Sequence, residues 1–436
     1  MAGFTLIFRS FRYRNYRLFF GGQSISLIGT WIQRIATPWL VYHQTGSVFL
    51  LGVVGFAGQI PTFLIAPFAG VLTDRWNRYH ILIATQVAAM IQALLLTGLY
   101  FSGTIAVWNI VLLNIFLGII NAFDVPARQS LVIQMVEKKE DLGNAIALNS
   151  SMVNGARLLG PSIAGILIAL TGEGICFLLN AISYIFVILS LLFMKIAPEA
   201  TGHKRSHVFR EMKEGVTYAF GFAPIRYIIL LLGLVSLVGM PYSVLMPVFA
   251  KEILHGGSHT FGFLMGAAGS GALLAALYLA SRKTVLGLGR IITLAAGIFG
   301  LGLIAFSFSR IFWLSLSMMV ITGFGMMLQM ASSNTLLQTI VEDDKRGRIM
   351  SFYTMAFMGT APFGSFLAGA SARFIGAPAT LMIGGILCLL GALAFRSRLP
   401  LMRSQVRPLF VKLGYIPEEM ASGIQSATDL TVPPEE

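Results

Sequence analysis

The chain has 436 residues, of which 56% are hydrophobic and only 11% charged, where an ordinary soluble domain carries roughly a quarter of its residues charged. With a mean hydropathy of +0.79, the apolar surface exceeds what a single soluble core of this length can hide, which excludes a soluble or disordered protein. The net charge of +13 therefore has to be explained in a membrane setting.

In chain order, residues 1–17 form a basic arm containing Arg9, Arg12, Arg14 and Arg17. It leads into a span too long for the apolar region of a cleavable signal, and no small-residue cleavage pattern follows. Apolar runs of about twenty residues, the length that crosses a ~30 Å hydrocarbon core as a helix, predict spans at 18–42, 48–72, 81–101, 105–125, 145–170 and 174–194. The longest polar stretch, 195–224, contains "HKRSHVFREMKEG" and predicts an amphipathic helix on the membrane surface. Six more spans are predicted at 225–249, 260–280, 291–308, 311–333, 349–370 and 378–395, before a tail over 396–436. The expected fold is an all-α membrane protein of twelve transmembrane helices in two pseudo-symmetric six-helix bundles, 18–194 and 225–395.

Charge placement sets the orientation. All but five of the 31 basic residues fall in the arm, the central linker, the tail and the loops on one side. Lys251, Arg310 and Arg373 fall on the other side, and Arg34 and Arg157 inside predicted spans. The positive-inside rule then places both termini in the cytoplasm of a multi-pass inner-membrane protein. Nucleic-acid binding would gather these cations on one folded face. Here they are dealt out one loop at a time, which fits topology and attraction to anionic lipid.

Catalytic chemistry has little to stand on. There is no phosphate loop, no HExxH and no GxSxG elbow. The histidines at 43, 80, 203, 207, 255 and 259 all fall at loops or span ends, and Cys176 and Cys388 lie in different halves, as inert small hydrophobes would. No enzyme, metal or cofactor is expected.

The two halves resemble each other. "QSLVIQMVEKKEDLGNAIAL" (129–148) lies on "NTLLQTIVEDDKRGRIMSF" (334–352) with one gap, and continuing the register sets Gly160 on Gly364 and Gly165 on Gly369. Such similarity between six-helix halves is the mark of a transporter whose halves move about a site near the midplane.

The stretch "GVLTDRWNRYHIL" (70–82) concentrates charge between the second and third spans. Its pattern of Gly70, Asp74, Arg75, Asn77 and Arg78 resembles motif A of the major facilitator superfamily. The second half keeps a partial copy in Ser281-Arg282 and Gly289-Arg290, with serine in place of the aspartate. "GTWIQRIATPWLVYHQTGS", "PFAGVLTDRWNRYHIL" and "NAFDVPARQSLV" are similar to the bacterial exporter branch that includes enterobactin exporters and macrolide efflux proteins. The resemblance implies a relay in which Asp74 accepts hydrogen bonds from a helix end in the other half. In it Arg78 reaches Asp124, with Arg128 nearby, and the relay latches the outward-facing state. In the fifth span, Gly160-Pro161 resembles the kink-forming antiporter motif of exporters, although its second glycine, Gly165, arrives one place late.

In this family helices one, four, seven and ten line the cavity. Gln23, Ser26, Thr30, Gln33 and Thr37 mark one face of the first span, Asn114, Gly118 and Asn121 one face of the fourth, and Thr322, Gly325, Gln329 and Ser332 one face of the tenth. The seventh offers only Ser236, Tyr242 and Ser243 with two prolines. Hydrogen bonding between helices inside a bundle produces the same stripes. Arg34 and Arg157 cost roughly 2.5 to 3.5 kcal/mol each in a span. They either bind carbonyls and neighbouring amides, or face the cavity and favour anionic or catechol substrates. The candidate cavity set is Gln33, Arg34, Asn114, Asn121, Arg157 and Gln329.

The expected function is export of an amphipathic small molecule, siderophore-like or drug-like, by alternating access in a monomer surrounded by lipid. The alternatives are an importer or lipid flippase of the same fold, a membrane-embedded enzyme, or a transporter-like sensor. Proton coupling is implied by the resemblance alone, since of the acidic residues only Asp124 falls in a predicted span, at its edge.

Overall fold

The computed structural model describes residues 8–195, 217–282, 284–413 and 415. The linker helix expected over 195–224 lies largely outside the described residues, of which 217–221 are helical. Among the described residues the chain forms helices and no strands.

A 3-10 turn, Arg9–Arg12, precedes α1 (Arg14–Thr45), α2 (Val48–Arg75), α3 (Arg78–Phe101), α4 (Val107–Gln134), α5 (Lys139–Thr171) and α6 (Glu173–Leu192). The second series is α7 (Ala223–Ile253), α8 (Ser258–Ala280), α9 (Leu288–Phe308), α10 (Phe312–Ile340), α11 and α12 (Ala377–Lys412). Here α11 is made of Asp343–Thr354 and Ala361–Ile375, joined by a π-helical turn at Met355–Gly359. Among the described residues ten helices are long and apolar enough to cross a membrane. The α1 helix, with its polar face, and the interrupted α11 fall below that measure.

Most helices run past the predicted spans at the basic end, the end that carries the Lys- and Arg-rich loops. Helix α4 continues through Pro126 to Gln134, so Arg128 is helical where a loop was expected, and α12 continues past Phe395 to Lys412 where a tail was expected. Hydropathy finds the apolar core of a helix, whereas the backbone hydrogen bonds continue wherever the polar end can pack. Buried Leu399, Met402 and Val406 are the packed face of that extension of α12. The arm is held as well: Arg9, Arg12 and the Tyr13 hydroxyl (2.7 Å) all meet the buried Asp141 at the start of α5.

The helices pack as two bundles of matching plan. In the first, α1 packs on α5 and α6, α2 on α4, and α3 on α4 and α6; in the second, α7 packs on α12, α8 on α10, and α9 on α10 and α12. The bundles meet along two seams, α5 with α8 and α2 with α11. Glycines set both seams. A Cβ on Gly165 would lie 2.9 Å from the Gly262 Cα, and one on Gly369 would lie 2.7 Å from the Gly52 Cα. Without a hydrophobic drive between helices in lipid, such close backbone contact supplies the van der Waals attraction. The sequence repeat is met in space: Gly165 and Gly369 occupy equivalent seams, while Gly160 packs against Trp31 of α1 and Gly364 against the Leu237 carbonyl of α7.

Two prolines shape the second bundle. Pro241 and Pro362 follow the π-helical turns Val235–Gly239 and Met355–Gly359, where the missing N–H and the ring would disrupt regular α-helical bonding. The turns face each other, and Ser236 Oγ donates to the Phe357 carbonyl while Thr360 Oγ1 donates to the Gly233 carbonyl at 3.3 Å.

Candidate substrate cleft and charge cluster

Toward the end opposite the basic loops the bundles are closed on each other. Trp39 stacks on Phe261 with centroids 6.1 Å apart, the Tyr42 hydroxyl meets Glu252 at 3.4 Å, and Ser258 Oγ donates to the Gly165 carbonyl at 3.0 Å. Midway, Phe63 packs on Gly359 and Phe363. Nearer the basic end, Ser150 and Ser151 of α5 and Ser351 and Thr354 of α11 are exposed. Polar side chains exposed on spanning helices face water rather than lipid, so the cleft between the bundles opens at the basic end.

Four helices converge on the closed end of this cleft. Arg34 of α1 is exposed although its neighbours Ile32, Gln33 and Ile35 are buried, as befits a side chain lining an internal space. Its guanidinium lies 5.0 Å from the Trp31 ring centroid, a cation–π contact that partly offsets lost hydration. Trp31 in turn rests on Gly160, where a Cβ would come within 2.4 Å of the Trp31 Cβ. Gly160 is thus the space into which the arginine's platform fits. Helix α5 runs unbroken through Pro161.

Arg157 of α5 lies one turn before Gly160, the seat of Trp31. It faces the buried Tyr242 hydroxyl of α7 and reaches Met326 Sδ of α10 at 3.9 Å. Pro161 cannot donate to the Arg157 carbonyl four residues before it, and α8 comes close there, with a Cβ on Gly269 falling 2.9 Å from that oxygen. One turn beyond Met326, Gln329 is buried with its Nε2 unpaired. Among the described residues neither Arg34 nor Arg157 has a carboxylate partner.

Gln33 belongs elsewhere, which corrects its assignment to the cavity. Its Nε2 donates to Gln92 Oε1 at 2.9 Å and its Oε1 accepts from Asn180 Nδ2 at 2.8 Å, tying α1 to α3 and α6. Adjacent residues on a helix point about 100° apart, so Gln33 enters the bundle core while Arg34 enters the cleft. The rest of the α1 stripe follows Gln33: Gly29 packs against Ser183 and Asn180, and Thr30 and Thr37 donate to carbonyls of their own helix. Asn114 is also displaced from its expected place. It donates to the Ile110 carbonyl and lies against Gly58 of α2, and Gly118 packs on the same helix. Asn121 is half-buried on α4.

At the basic end, Gly70 stands on the last turns of α2 with Asp74 and Arg75, whose side chains lie outside the described ones. Asn77 caps α3, accepting from the Tyr79 and His80 amides. Asp124 is buried and accepts from Thr85 Oγ1 at 3.2 Å and from Gln86 Nε2. Its cation among the described residues is Arg128, 3.4 Å away and one turn along α4, rather than the expected Arg78. The unexpected reach of α4 makes this pair possible, because only a helical Arg128 projects beside Asp124 at i+4.

The profile of the transmembrane secretion effector family, part of the major facilitator superfamily, matches residues 6–413. The chain belongs to that family. It is 26% identical to the staphyloferrin A transporter of Staphylococcus aureus over 85% of its own length and 92% of the relative's. It is 23% identical to macrolide efflux protein A of Streptococcus pyogenes, covering 86% of this chain and 95% of that one. A bacterial homologue of the iron transporter ferroportin, solved in an inward-facing state, shares its fold with a TM-score of 0.66 at 18% identity, over 88% of this chain and 99% of the other. Members of the superfamily are transporters, so this protein is an inner-membrane transporter and not an enzyme.

Two features of the cleft escaped sequence reasoning. Met326 and Trp31 read as ordinary apolar residues, although Trp31 stands three positions before Arg34 on the same helix, and only the packing of separate helices makes Met326 a neighbour of Arg157. Gly160, read as part of a kink, is instead the seat of Trp31.

Proposed function

We propose that this protein exports an amphipathic, negatively charged small molecule across the inner membrane by alternating access to the cleft around Arg34 and Arg157. The observation that carries the reading is that Arg34 of α1 lies over Trp31, that Trp31 rests on Gly160 of α5 one turn from Arg157, and that neither guanidinium has a carboxylate partner among the described residues. Guanidinium stays charged in proteins, and a pair held together in a low-dielectric space creates a positive potential that attracts anions. Trp31, Met326 and Tyr242 give the same space apolar and aromatic walls, which suit an amphipathic cargo. The names of the relatives, a siderophore transporter and a macrolide efflux protein, support export of siderophore-like or drug-like molecules.

In this reading the basic end is cytoplasmic, and the cleft that opens there receives cargo from inside the cell. Gly70, Asp74, Arg75 and Arg78, with Asp124 and Arg128, form the relay that latches one end state. Proton coupling, which the family resemblance implies, has to run through carboxylates away from the arginines, such as Asp124 or Glu173.

The test is flux in proteoliposomes. Arg34→Ala should lose transport of an anionic substrate, and Arg34→Lys, which keeps the charge, should retain more of it. Normal transport by Arg34→Ala, or efficient export of lipophilic cations, would sink the reading. Binding without flux would instead mark the protein as a sensor.

A further inference from the structure

Away from the cleft, we infer that the second bundle holds one anionic phospholipid at the basic end, between the extension of α12 and the turn that joins α8 to α9. A cavity of about 460 Å³ lies there, a volume within the range of small-molecule sites. Leu286 of the turn, Leu336 of α10 and Phe410 of α12 give it apolar walls, and Arg290, Arg403 and Arg407 line it as cations.

Local chemistry fixes both walls. Arg282 Nη2 donates to the Leu286 carbonyl at 2.9 Å and closes the turn. Gly287, at a φ of 81°, then redirects the chain into α9, in the left-handed region that glycine enters without steric cost. Gly289 lets α12 approach, because a Cβ there would lie 3.0 Å from Leu399 Cδ2. Leu399, Met402 and Val406 are buried and hold the extension of α12 against the bundle.

The level of the cavity in the membrane names the occupant. Pro224 and Arg290, which line it, each stand one position before a predicted span, and Leu336 stands three positions after one. The cavity therefore starts at the edge of the hydrocarbon, in the headgroup layer, where an apolar hollow favours an apolar occupant over water. The arginines set the other end of that occupant. Helical side chains lean toward the N-terminus of their helix. At this end α12 leaves the membrane and α9 enters it, so Arg403 leans back toward the bilayer while Arg290 leans outward, and both are directed at the headgroup layer. Both are exposed, and neither has a carboxylate partner among the described residues. Guanidinium takes phosphate oxygens in pairs, and basic pockets between spanning helices receive anionic headgroups. A phospholipid brings an acyl chain for the hollow and a phosphate for the arginines, whereas a soluble anion brings only the charge. The acidic tail, 416–436, has five carboxylates and no cation, and follows Tyr415, whose ring centroid lies 5.8 Å from that of Phe410. It competes for the arginines but has no acyl chain.

The experiment titrates the delipidated full chain, in a neutral detergent, with dioleoyl phosphatidylglycerol, dioleoyl phosphatidylcholine and glycerol phosphate. It reads the unfolding midpoint and, by native mass spectrometry, the lipid retained. Phosphatidylglycerol should raise the midpoint saturably with a single molecule held per chain, and the other two should do neither. Arg290→Gln with Arg403→Gln should keep the lipid-free midpoint and weaken phosphatidylglycerol binding about 30-fold. Arg14→Gln with Arg17→Gln removes the same charge from the same end of the protein and should leave that binding unchanged. Equal weakening in both doubles would reveal diffuse attraction to the basic face and overturn the site. Equal stabilisation by glycerol phosphate would make it a soluble-anion site and overturn the lipid. Tighter phosphatidylglycerol binding in Glu418→Gln with Glu419→Gln would mean that the acidic tail fills the cavity, and would overturn the lipid as well. All of these outcomes leave the cargo reading of the cleft untouched.

Discussion

A double-mutant cycle at Asp124 tests which cation holds it. Asp124 is buried near the basic end and Arg128 lies 3.4 Å away, about a fifth exposed at the side chain. At an effective dielectric near 20, two unit charges at that distance attract by about 5 kcal/mol. Solvent around Arg128 and the desolvation of Asp124 take back much of this, so a net coupling of roughly 1–3 kcal/mol is expected. Asp124→Asn keeps the shape and removes the charge. It leaves Arg128 uncompensated and weakens the charge-assisted bonds from Thr85 and Gln86. Unfolding of the purified protein in detergent is measured for Asp124→Asn, Arg128→Gln, Arg78→Gln and the two doubles that contain Asp124→Asn. The Asp124 and Arg128 changes should be strongly non-additive, with the double little worse than either single. Asp124 and Arg78 should add to within about 0.5 kcal/mol. If the larger coupling falls on Arg78, the assignment of the Asp124 partner is wrong.

Gly160→Val should displace Trp31, since even a Cβ at 160 comes within 2.4 Å of the Trp31 Cβ; overpacking of this kind costs about 1–3 kcal/mol. Its readout is a shift in tryptophan fluorescence together with loss of anion transport, and an unchanged spectrum would refute the platform role of Gly160. Gln33→Leu strands Gln92 Oε1 and Asn180 Nδ2 in the bundle core and should destabilise by about 1–3 kcal/mol per orphaned group. Stability should fall more than substrate affinity, whereas a pure affinity loss would return Gln33 to the cleft. Gly165→Leu puts a side chain where Gly262 Cα already lies within 2.9 Å of a Cβ. It should force the seam open and abolish transport while the protein still inserts, as surface accessibility labelling can show. A reporter fused after Arg398 should read cytoplasmic and one at Gly172 periplasmic, and the reverse result would overturn the orientation.

Much of the fold was legible because membrane helices obey local rules. A run of about twenty apolar residues must span and must satisfy its own backbone, so the positions of the helices follow from hydropathy. Where each helix stops is a different matter. The ends of α4 and α12 are amphipathic, and they remain helical because Val132, Met402 and Val406 find partners elsewhere in the chain. The displaced assignment of Arg128 follows directly from that.

The candidate site divides in the same way. The sequence alone determined that two arginines lie inside spans, that the halves repeat through Gly160, Gly165, Gly364 and Gly369, and that the charged stretch at 70–78 sits between the second and third helices. These facts need only composition and spacing. Which way a helix face points depends on its neighbours, and polar stripes serve bundle interiors and cavities alike. The tertiary structure therefore decided that Gln33 is bound by Gln92 and Asn180, that Asn114 turns to α2, that Trp31 beneath Arg34 seats on Gly160, and that Arg157 reaches Met326. The physical reason is that an arginine's cost in a span is a property of the residue, whereas a group that answers it can lie on another helix, as Met326 does for Arg157, 169 positions away in the chain.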